Sequence, residues 1–247
     1  MSDKLAIVLA AGKGTRMKSD LPKVLIPVRG RPMIEYVLDA LNRTGIDESL
    51  VVVGYRHDDV RQTLAGRSRV RFVEQTEQRG TGHAAMVCRE HLERHDGPVL
   101  IVTGDSPLVQ SASLGWLLAE FDRDRPACLL GTAHKADPHG LGRIVRDAAG
   151  GFAGIVEEKD ATEEQRQITE VNLSCYVFDC RALLFALSKI SADNRQNEYY
   201  LTDCPGILKT DGRDVRALPI LQPCEALSIN TPEELSVVET AMAELGM

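Results

Sequence analysis

An apolar run that ends in a basic, glycine-containing loop constrains this chain more than any other feature. Residues 9–25 read LAAGKGTRMKSDLPKVL, so a short strand passes into a turn with four basic side chains. These are Lys13, Arg16, Lys18 and Lys23. We expect Gly12 and Gly14 to adopt positive φ and to direct backbone N–H groups at an anion, while the cations add charge. The loop therefore predicts a site for the phosphates of a nucleotide.

The loop does not fit the two most common phosphate-binding motifs. No Gly-Lys-Ser/Thr sequence closes a P-loop, and Met17 stands where a dinucleotide fingerprint needs Gly or Ala. GTGHAA at 80–85 fits Gly-x-Gly-x-x-Ala, but QTEQR separates it from the predicted strand that ends near Glu74. An oxidoreductase is therefore the weakest of the functions considered.

Composition bounds the class of protein. A chain of 247 residues with 43% hydrophobic residues can form one large α/β domain, and a net charge of −7 argues against a nucleic-acid-coating surface. The six cysteines form no C-x-x-C pair, and no apolar stretch approaches the length of a membrane span. We therefore expect reduced cysteines, a cytoplasmic location, and neither nucleic-acid nor membrane partners.

Apolar runs alternate with helical periodicity over the first 103 residues. The predicted strands are 5–10, 50–54, 70–74 and 99–103, and the predicted helices are 32–43, 58–65 and 81–94. This alternation predicts a Rossmann-like α/β fold: a mostly parallel sheet with helices on both faces and ligands at the carboxyl ends of its strands.

The pattern changes after residue 140. Strands at 143–146 and 152–157 with a turn at 149–151 predict a hairpin that forms a small β flap. The predicted elements that follow are strand 170–178, helices 181–189 and 198–209, and strands 215–218 and 225–229. Thr231, Pro232 and Glu234 form a capping box that starts a final helix directly after Asn230.

Six segments in order resemble the sugar-1-phosphate nucleotidylyltransferases, and among them the N-acetylglucosamine-1-phosphate uridylyltransferase domains. Besides the opening loop, they are EQTEQRGTGHA (74–84), GDSPL (104–108), GLGRIVRD (140–147), GIVEEKDAT (154–162) and NEYYLTD (197–203). The resemblance implies transfer of a uridylyl group from UTP to N-acetylglucosamine 1-phosphate, giving UDP-N-acetylglucosamine and pyrophosphate.

The chemistry of this reaction needs cations more than a base, because a sugar phosphate is already a dianionic nucleophile. Arg16 and Lys23 are the candidates for the phosphate clamp. Asp105 follows the buried run VLIVTG, where a carboxylate can hold Mg²⁺, with Asn230 as its neutral partner. Without the resemblance, Asp105 would equally read as a turn cap.

The resemblance assigns two further sets of contacts. Residues on the nucleotide side are Leu9, Ala10, Ala11, Gly12, Gly14, Gln75, Gln78, Gly80, Thr81 and Gly104. Residues on the sugar side are Gly142, Glu157, Asn172 and Asn230, with Glu198, Tyr199 and Tyr200 as pocket walls. His57 and His83 are interpreted as structural.

Several residues depart from the family pattern beside these contacts. They are Arg79, Thr103, Leu173, Ser174, Ser228 and Thr231. Because one lost hydrogen bond can redirect sugar specificity, another sugar phosphate or a small phosphate such as a cytidylyl acceptor remains an alternative. A non-catalytic nucleotide-sugar sensor is the alternative from another class.

We predict one nucleotidylyltransferase domain over 1–247. Its parts are a nucleotide-binding half (1–110), a sugar-binding half (111–230) and a C-terminal helix (231–247). The sequence shows no hexapeptide repeats, so we expect no β-helix acetyltransferase domain and none of the trimerisation that such a domain provides. The expected partners are UTP and a sugar 1-phosphate, and the expected state is a monomer or weak dimer.

Overall fold

A nine-stranded mixed sheet forms the centre of the computed structural model, which describes residues 3–247. The strands, in chain order, are β1 (Leu5–Ala10), β2 (Pro27–Val28), β3 (Arg31–Pro32), β4 (Glu48–Val53), β5 (Val70–Glu74), β6 (Pro98–Thr103), β7 (Cys128–His134), β8 (Gly142–Arg146), β9 (Phe152–Val156), β10 (Glu170–Asp179) and β11 (Val215–Leu218). β2 and β3 pair only with each other.

Helices connect the strands. They are α1 (Met33–Arg43), α2 (His57–Thr63), α3 (Thr81–Met86), α4 (Arg89–Leu92), α5 (Ser111–Asp124), α6 (Glu163–Arg166), α7 (Cys180–Leu187), α8 (Asp203–Thr210) and α9 (Pro232–Glu244). Short 3-10 turns occupy Thr15–Met17, Lys23–Leu25 and Pro223–Ala226. In residues 3–247 no helix combines the length and apolar character needed to cross a membrane.

The sheet is mostly parallel, as predicted. Its strand order is β11-β7-β10-β6-β1-β4-β5, and only β10 runs antiparallel to its neighbours along this path within residues 3–247. The β8–β9 hairpin is attached to β10 through Gly142 and Arg143. The carboxyl ends of β1 and β6 meet at one edge, where the Gly104 N–H donates to the Leu9 carbonyl at 2.9 Å.

Two hydrophobic clusters cover the two faces of the sheet. Successive residues of β1 alternate between them, with Ile7 in one cluster and Val8 in the other. The cluster around Ile7 contains residues of α3, α4, α7 and α8, and that around Val8 contains residues of α1, α2 and α5. Helices therefore lie on both faces, which confirms the predicted fold class.

A third cluster joins the N-terminal loop to the C-terminal helix. It consists of Met17, Ile26, Val28, Met33, Leu108, Ile229, Val238 and Met242. Met17 lies next to Arg16, and Ile229 lies next to Asn230. Burial of the two apolar neighbours therefore fixes the backbone at both polar residues, although they are 214 positions apart.

The structure corrects three predicted elements. The predicted strand 225–229 is wrong, because the buried Glu225 carboxylate accepts hydrogen bonds from Gln110, Ser113 and Gln222 and holds a 3-10 turn. The predicted helix 198–209 starts only at Asp203, since Tyr199 exchanges backbone hydrogen bonds with residues 79 and 82. The predicted helix 81–94 is broken between α3 and α4.

Other elements agree with the sequence or were missed by it. Strands β1, β5 and β11 have the predicted bounds, and the turn of the β8–β9 hairpin lies where it was expected. The capping box of α9 is present, with the Thr231 hydroxyl accepting from the Glu234 N–H at 3.3 Å. The sequence pattern did not predict α5 or β7.

Candidate active site

Four predicted residues meet at the carboxyl edge of β1 and β6. The Lys23 ammonium lies 2.5 Å from Asp105 Oδ2 and 2.9 Å from Asn230 Oδ1. The Arg16 guanidinium donates to the same Asn230 oxygen at 2.9 Å. We call Arg16, Lys23, Asp105 and Asn230 the cationic edge. Two cations therefore converge on one amide oxygen, and one of them, Lys23, also pairs with the Asp105 carboxylate.

Each member of the cationic edge comes from a different local structure. Arg16 lies in the first 3-10 turn, Lys23 begins the second, Asp105 follows β6, and Asn230 precedes α9. Gly14 has φ +68°, and a Cβ at this position would lie 2.7 Å from Lys23 Cβ. A glycine is therefore required for the loop to pass close to Lys23.

The prediction for the first glycine of the loop is wrong. Gly12 does not have positive φ, and a Cβ added there would meet nothing within 4 Å. Gly14 alone of the two therefore takes the left-handed conformation. The space beside Gly12 is open. The Lys13 ammonium lies over the ring of Tyr55, 5.1 Å from the ring centroid.

Asp105 is charged at neutral pH despite its surroundings. Burial alone would raise the pKa of its carboxyl, but the Lys23 ammonium and hydrogen bonds from Lys23 and Thr103 lower the pKa below its ordinary value. Together these lowering influences outweigh burial. Asp105 is thus an anion paired with the Lys23 ammonium.

The donor set at this edge fits a hard divalent cation. Asp105 and Asn230 offer one carboxylate and one amide oxygen, and both lie within 2.9 Å of a single cationic nitrogen. Mg²⁺ takes such oxygen ligands and completes its shell from water and substrate phosphates. No group of three or more His, Cys, Asp or Glu residues that could hold a metal occurs in residues 3–247, so a complete protein cage is not formed there.

Gln75 is the best-placed residue of the predicted nucleotide side. It is 4% exposed, and its amide nitrogen lies 3.1 Å from the Gly80 carbonyl and 3.0 Å from His83 Nδ1. A Cβ on Gly54 would lie 3.0 Å from the Ala11 carbonyl oxygen and 3.2 Å from the Gln75 carbonyl oxygen. The first loop and this segment therefore approach each other at Gly54. His83 therefore orients a predicted site residue.

The remaining nucleotide-side residues fall into two groups. Gln78 is exposed, whereas the Thr81 hydroxyl is used by the chain itself, accepting from the Leu201 N–H at 3.1 Å. Gly80 has φ +103°, and a Cβ there would lie 2.5 Å from the Tyr199 carbonyl. This close approach joins the segment to the predicted pocket wall at Tyr199.

The predicted sugar-side residues also lie together. Gly142 pairs with Asn172 across β8 and β10, and a Cβ on Gly142 would lie 3.6 Å from both Asn172 Cβ and Glu157 Oε2. We call Gly142, Glu157 and Asn172 the hairpin wall. Glu157 Oε1 accepts from the Thr202 hydroxyl at 2.8 Å, which ties the wall to the start of α8.

Glu157 of the hairpin wall and Asp203 at the start of α8 hold protons more tightly than carboxylates usually do. Burial is the main reason that the pKa of Glu157 is raised, and the nearby charge of Asp160 adds to it. Burial and the charges of Glu157 and Asp160 raise the pKa of Asp203 to about 6. Within residues 3–247 neither Glu157 nor Asp203 forms an ion pair, whereas Asp105 is paired with Lys23.

A cleft of about 270 Å³ joins the cationic edge to Asn172. Sequence reasoning missed the two basic lining residues Lys135 and His139, because the segment after β7 carries no motif and β7 itself was not predicted. A larger cavity, of about 620 Å³, lies between α7, α8 and β9 and borders Thr202 and Asp203.

Several residues that depart from the family pattern have structural roles. Ser174 has φ +53° in a β-bulge of β10, and its N–H donates to Asn172 Oδ1 at 3.2 Å. The Thr103 hydroxyl bonds to Ser106 at 2.8 Å, and Ser228 accepts from Asn230 Nδ2 at 3.0 Å. Arg79 stacks over the ring of Tyr199 at 5.1 Å. Leu173 lines the cleft, and Thr231 caps α9.

Comparison with known proteins gives a consistent picture. The model of the MobA-like NTP transferase domain matches residues 6–196. The chain is 42% identical over 242 residues to the bifunctional protein GlmU of Enterococcus faecalis, covering 98% of this chain and 52% of that protein. It is 43% identical to GlmU of Streptococcus gordonii, covering 96% of this chain and 51% of that protein. The chain spans about half the length of these curated relatives.

A solved structure shares the fold. The crystal structure of UDP-glucose pyrophosphorylase complexed with UDP-glucose matches with a TM-score of 0.80, covering 99% of this chain and 100% of that one. The two sequences are 15% identical, so the likeness shows the architecture alone.

Proposed function

The chain belongs to the family of MobA-like NTP transferase domains, and from this premise we propose that it transfers a uridylyl group from UTP to N-acetylglucosamine 1-phosphate. The products are UDP-N-acetylglucosamine and pyrophosphate. In this reaction a phosphate oxygen of the sugar attacks the α-phosphorus of UTP while pyrophosphate leaves from the opposite side.

The observation that carries the proposal is the convergence of the cationic edge. The attacking phosphate is already ionised at neutral pH, so the reaction needs no general base. Its barrier comes from repulsion, since two like charges about 4 Å apart repel by roughly 4 kcal/mol at an effective dielectric near 20. Arg16 and Lys23 supply fixed positive charge where four chain segments meet.

The proposed roles follow from position. Lys23 holds the phosphoryl group near the reacting centre, and Arg16, which is more exposed, holds the triphosphate and its leaving pyrophosphate. Backbone N–H groups of the first loop, beside the open space at Gly12, are proposed to contact the phosphates. We propose Asp105 and Asn230 as ligands of Mg²⁺, which when bound neutralises phosphate charge.

The base and the sugar are assigned to different walls. We propose that the segment from Gln75 to Thr81 binds uracil, because an amide side chain offers the donors and acceptors that a pyrimidine edge requires. We propose that the hairpin wall binds hydroxyl and acetamido groups of the sugar, for which neutral or proton-holding partners suit better than permanent charge. The free cysteines support the cytoplasmic location that we propose for this reaction.

A pyrophosphate-release assay tests the proposal. The protein is incubated with Mg²⁺, each of UTP, CTP, GTP and ATP, and a set of sugar 1-phosphates, and the nucleotide sugar is identified by mass spectrometry. We expect turnover with UTP and N-acetylglucosamine 1-phosphate, and its loss with EDTA and recovery with added Mg²⁺. A different nucleotide sugar as the main product would show that the proposed substrates are wrong. Tight binding of a UDP-sugar without turnover would indicate a sensor.

A further inference from the structure

Lys135 places a third cation in the cleft that holds the cationic edge. It directly follows β7, is half-buried, and lines the same cavity as Arg16 and Lys23. Within residues 3–247 its ammonium has no hydrogen-bond or ion-pair partner. A half-buried ammonium without a counter-charge is unfavourable in the protein alone. A ligand anion would remove that cost.

The acidic side chains that line the cleft are engaged elsewhere. Asp105 is paired with Lys23, and Glu225 accepts from Ser113 and two backbone N–H groups. Glu234 accepts from the backbone N–H groups of Asn230 and Thr231. No carboxylate of the cleft in residues 3–247 is therefore paired with Lys135.

His139 lies on the same wall. It follows β7 in the loop that leads to β8 and lines the cleft with Lys135. Asp137 Oδ1 of the same loop accepts from the His139 backbone N–H at 3.2 Å. The Glu158 carboxylate, whose charge also acts on His139, is bound by Arg143 at 2.7 Å and approached by Arg166 at 3.9 Å. Within residues 3–247, neither basic side chain of this loop forms an ion pair with Asp137 or Glu158.

Sheet geometry separates Lys135 from the reacting centre. Ile101 of β6 and Leu130 of β7 both lie opposite Tyr176 of β10, so Asp105 and Lys135 leave the sheet at the same edge. They are two strand spacings apart, which is about 10 Å between the backbones. Lys23, in contrast, contacts Asp105 directly. Lys135 thus faces a part of the substrate away from the reacting phosphate.

We propose that Lys135, with His139 beside it, binds a second anionic group on the acceptor, at the edge of the sugar ring remote from the reacting phosphate. The cleft then accepts uronic acid 1-phosphates in addition to the neutral sugar of the proposed function. This inference rests on the proposed uridylyl transfer and concerns its acceptor alone. Lys135 contributes specificity, and the cationic edge performs the transfer.

The test uses two acceptors that differ only at C6, glucose 1-phosphate and glucuronic acid 1-phosphate, each with UTP and Mg²⁺. The wild-type protein is expected to use the acid with a kcat/KM at least equal to that for the neutral sugar. Lys135→Met is expected to lower kcat/KM for the acid by roughly tenfold to a hundredfold, which is the usual range for losing a hydrogen bond to a charged group. The kcat/KM for the neutral sugar should stay within about twofold of the wild-type value.

Matched variants separate charge from structure. Lys135→Arg should retain the kcat/KM for the acid, and His139→Asn should lower it less than Lys135→Met does. Lys209→Met, at an exposed position on α8, should change the kcat/KM for neither acceptor. Equal losses for both acceptors in Lys135→Met would show that Lys135 holds the reacting phosphate and would overturn the inference. No loss for the acid, or no use of the acid by the wild-type protein, would also overturn it.

A binding measurement keeps failure of this inference distinct from failure of the proposed function. If no sugar 1-phosphate is turned over, the proposed function fails. The inference is then decided by thermal shift: glucuronic acid 1-phosphate should raise the melting temperature more than glucose 1-phosphate, and only when Lys135 is present. An equal shift in wild type and Lys135→Met would reject it.

Discussion

The cationic edge and the hairpin wall, which meet the same cleft through Asn172, have opposite electrostatics. At the cationic edge Asp105 is paired with Lys23, and the pKa of Asp105 is lowered. At the hairpin wall Glu157 forms no ion pair within the described part of the chain, and burial raises its pKa. Charge is therefore concentrated where phosphates are proposed to react and withheld where an uncharged ring is proposed to lie.

The two regions also differ in how the chain builds them. The cationic edge joins residues up to 214 positions apart, and the third hydrophobic cluster holds them in place. The hairpin wall comes from neighbouring strands paired in register. Disturbing the cationic edge should therefore affect catalysis most, whereas disturbing the hairpin wall should affect sugar binding.

The largest expected effect comes from removing the charge at the centre of the cationic edge. Lys23→Met should lower kcat by about 10³-fold, the range found when one preorganised charge-stabilising group is lost. It also leaves Asp105 without its counter-ion, so thermal unfolding must be measured in parallel. Steady-state kinetics with UTP and N-acetylglucosamine 1-phosphate test this, with Lys209→Met as the control. If kcat of a folded Lys23→Met variant fell less than tenfold, catalysis would not depend on the cationic edge more than on the hairpin wall.

A smaller effect is expected at the hairpin wall. Glu157→Gln keeps the acceptor oxygen for the Thr202 hydroxyl and changes the groups offered to the ligand. KM for the sugar phosphate should rise about tenfold, while kcat and the KM for UTP stay within about twofold. The exposed Glu163→Gln on α6 serves as the control. A fall in kcat with unchanged KM would mean that the wall takes part in the transfer.

The two loop glycines give an internal comparison. Gly14→Ala should destabilise the protein by about 1–3 kcal/mol, because the residue has φ +68° and its Cβ would press on Lys23. Gly12→Ala should leave stability within about 0.5 kcal/mol but lower activity, since its Cβ would enter the open space proposed for phosphates. Denaturant unfolding and kinetics are measured on both. Full activity of Gly12→Ala would remove that space from the proposed site.

The smallest effect is on the pH dependence of stability. The pKa of Asp203 is raised to about 6 in the folded protein, against about 3.9 in an unfolded chain. The folded state therefore binds the proton more tightly, and stability from this group is lost as pH rises from about 4 through 6. Because Asp203 is partly exposed, screening reduces the effect to about 1 kcal/mol. Asp203→Asn should gain melting temperature relative to wild type between pH 5 and 8, unlike the exposed Asp193→Asn.

The sequence predicted the parts of the fold that depend on local pattern. Alternating apolar runs gave β1, β5 and β11 with their observed bounds, and the Thr231 capping box gave the start of α9. The strand predicted at 225–229 failed because Glu225 is buried by hydrogen bonds to a distant helix start, which no periodicity records. The assigned contacts for uracil, sugar and Mg²⁺ stay predictions.

What the sequence alone determined is the set of groups: basic residues after the first strand, a carboxylate after a buried strand, an asparagine before a capped helix. Only the tertiary structure decided that Arg16, Lys23 and Asn230 share one oxygen, because that meeting depends on packing the chain's two ends in a common hydrophobic cluster. The structure also brought Lys135 into the cleft. Local pattern specifies what each segment is, and the burial of apolar neighbours determines which segments meet.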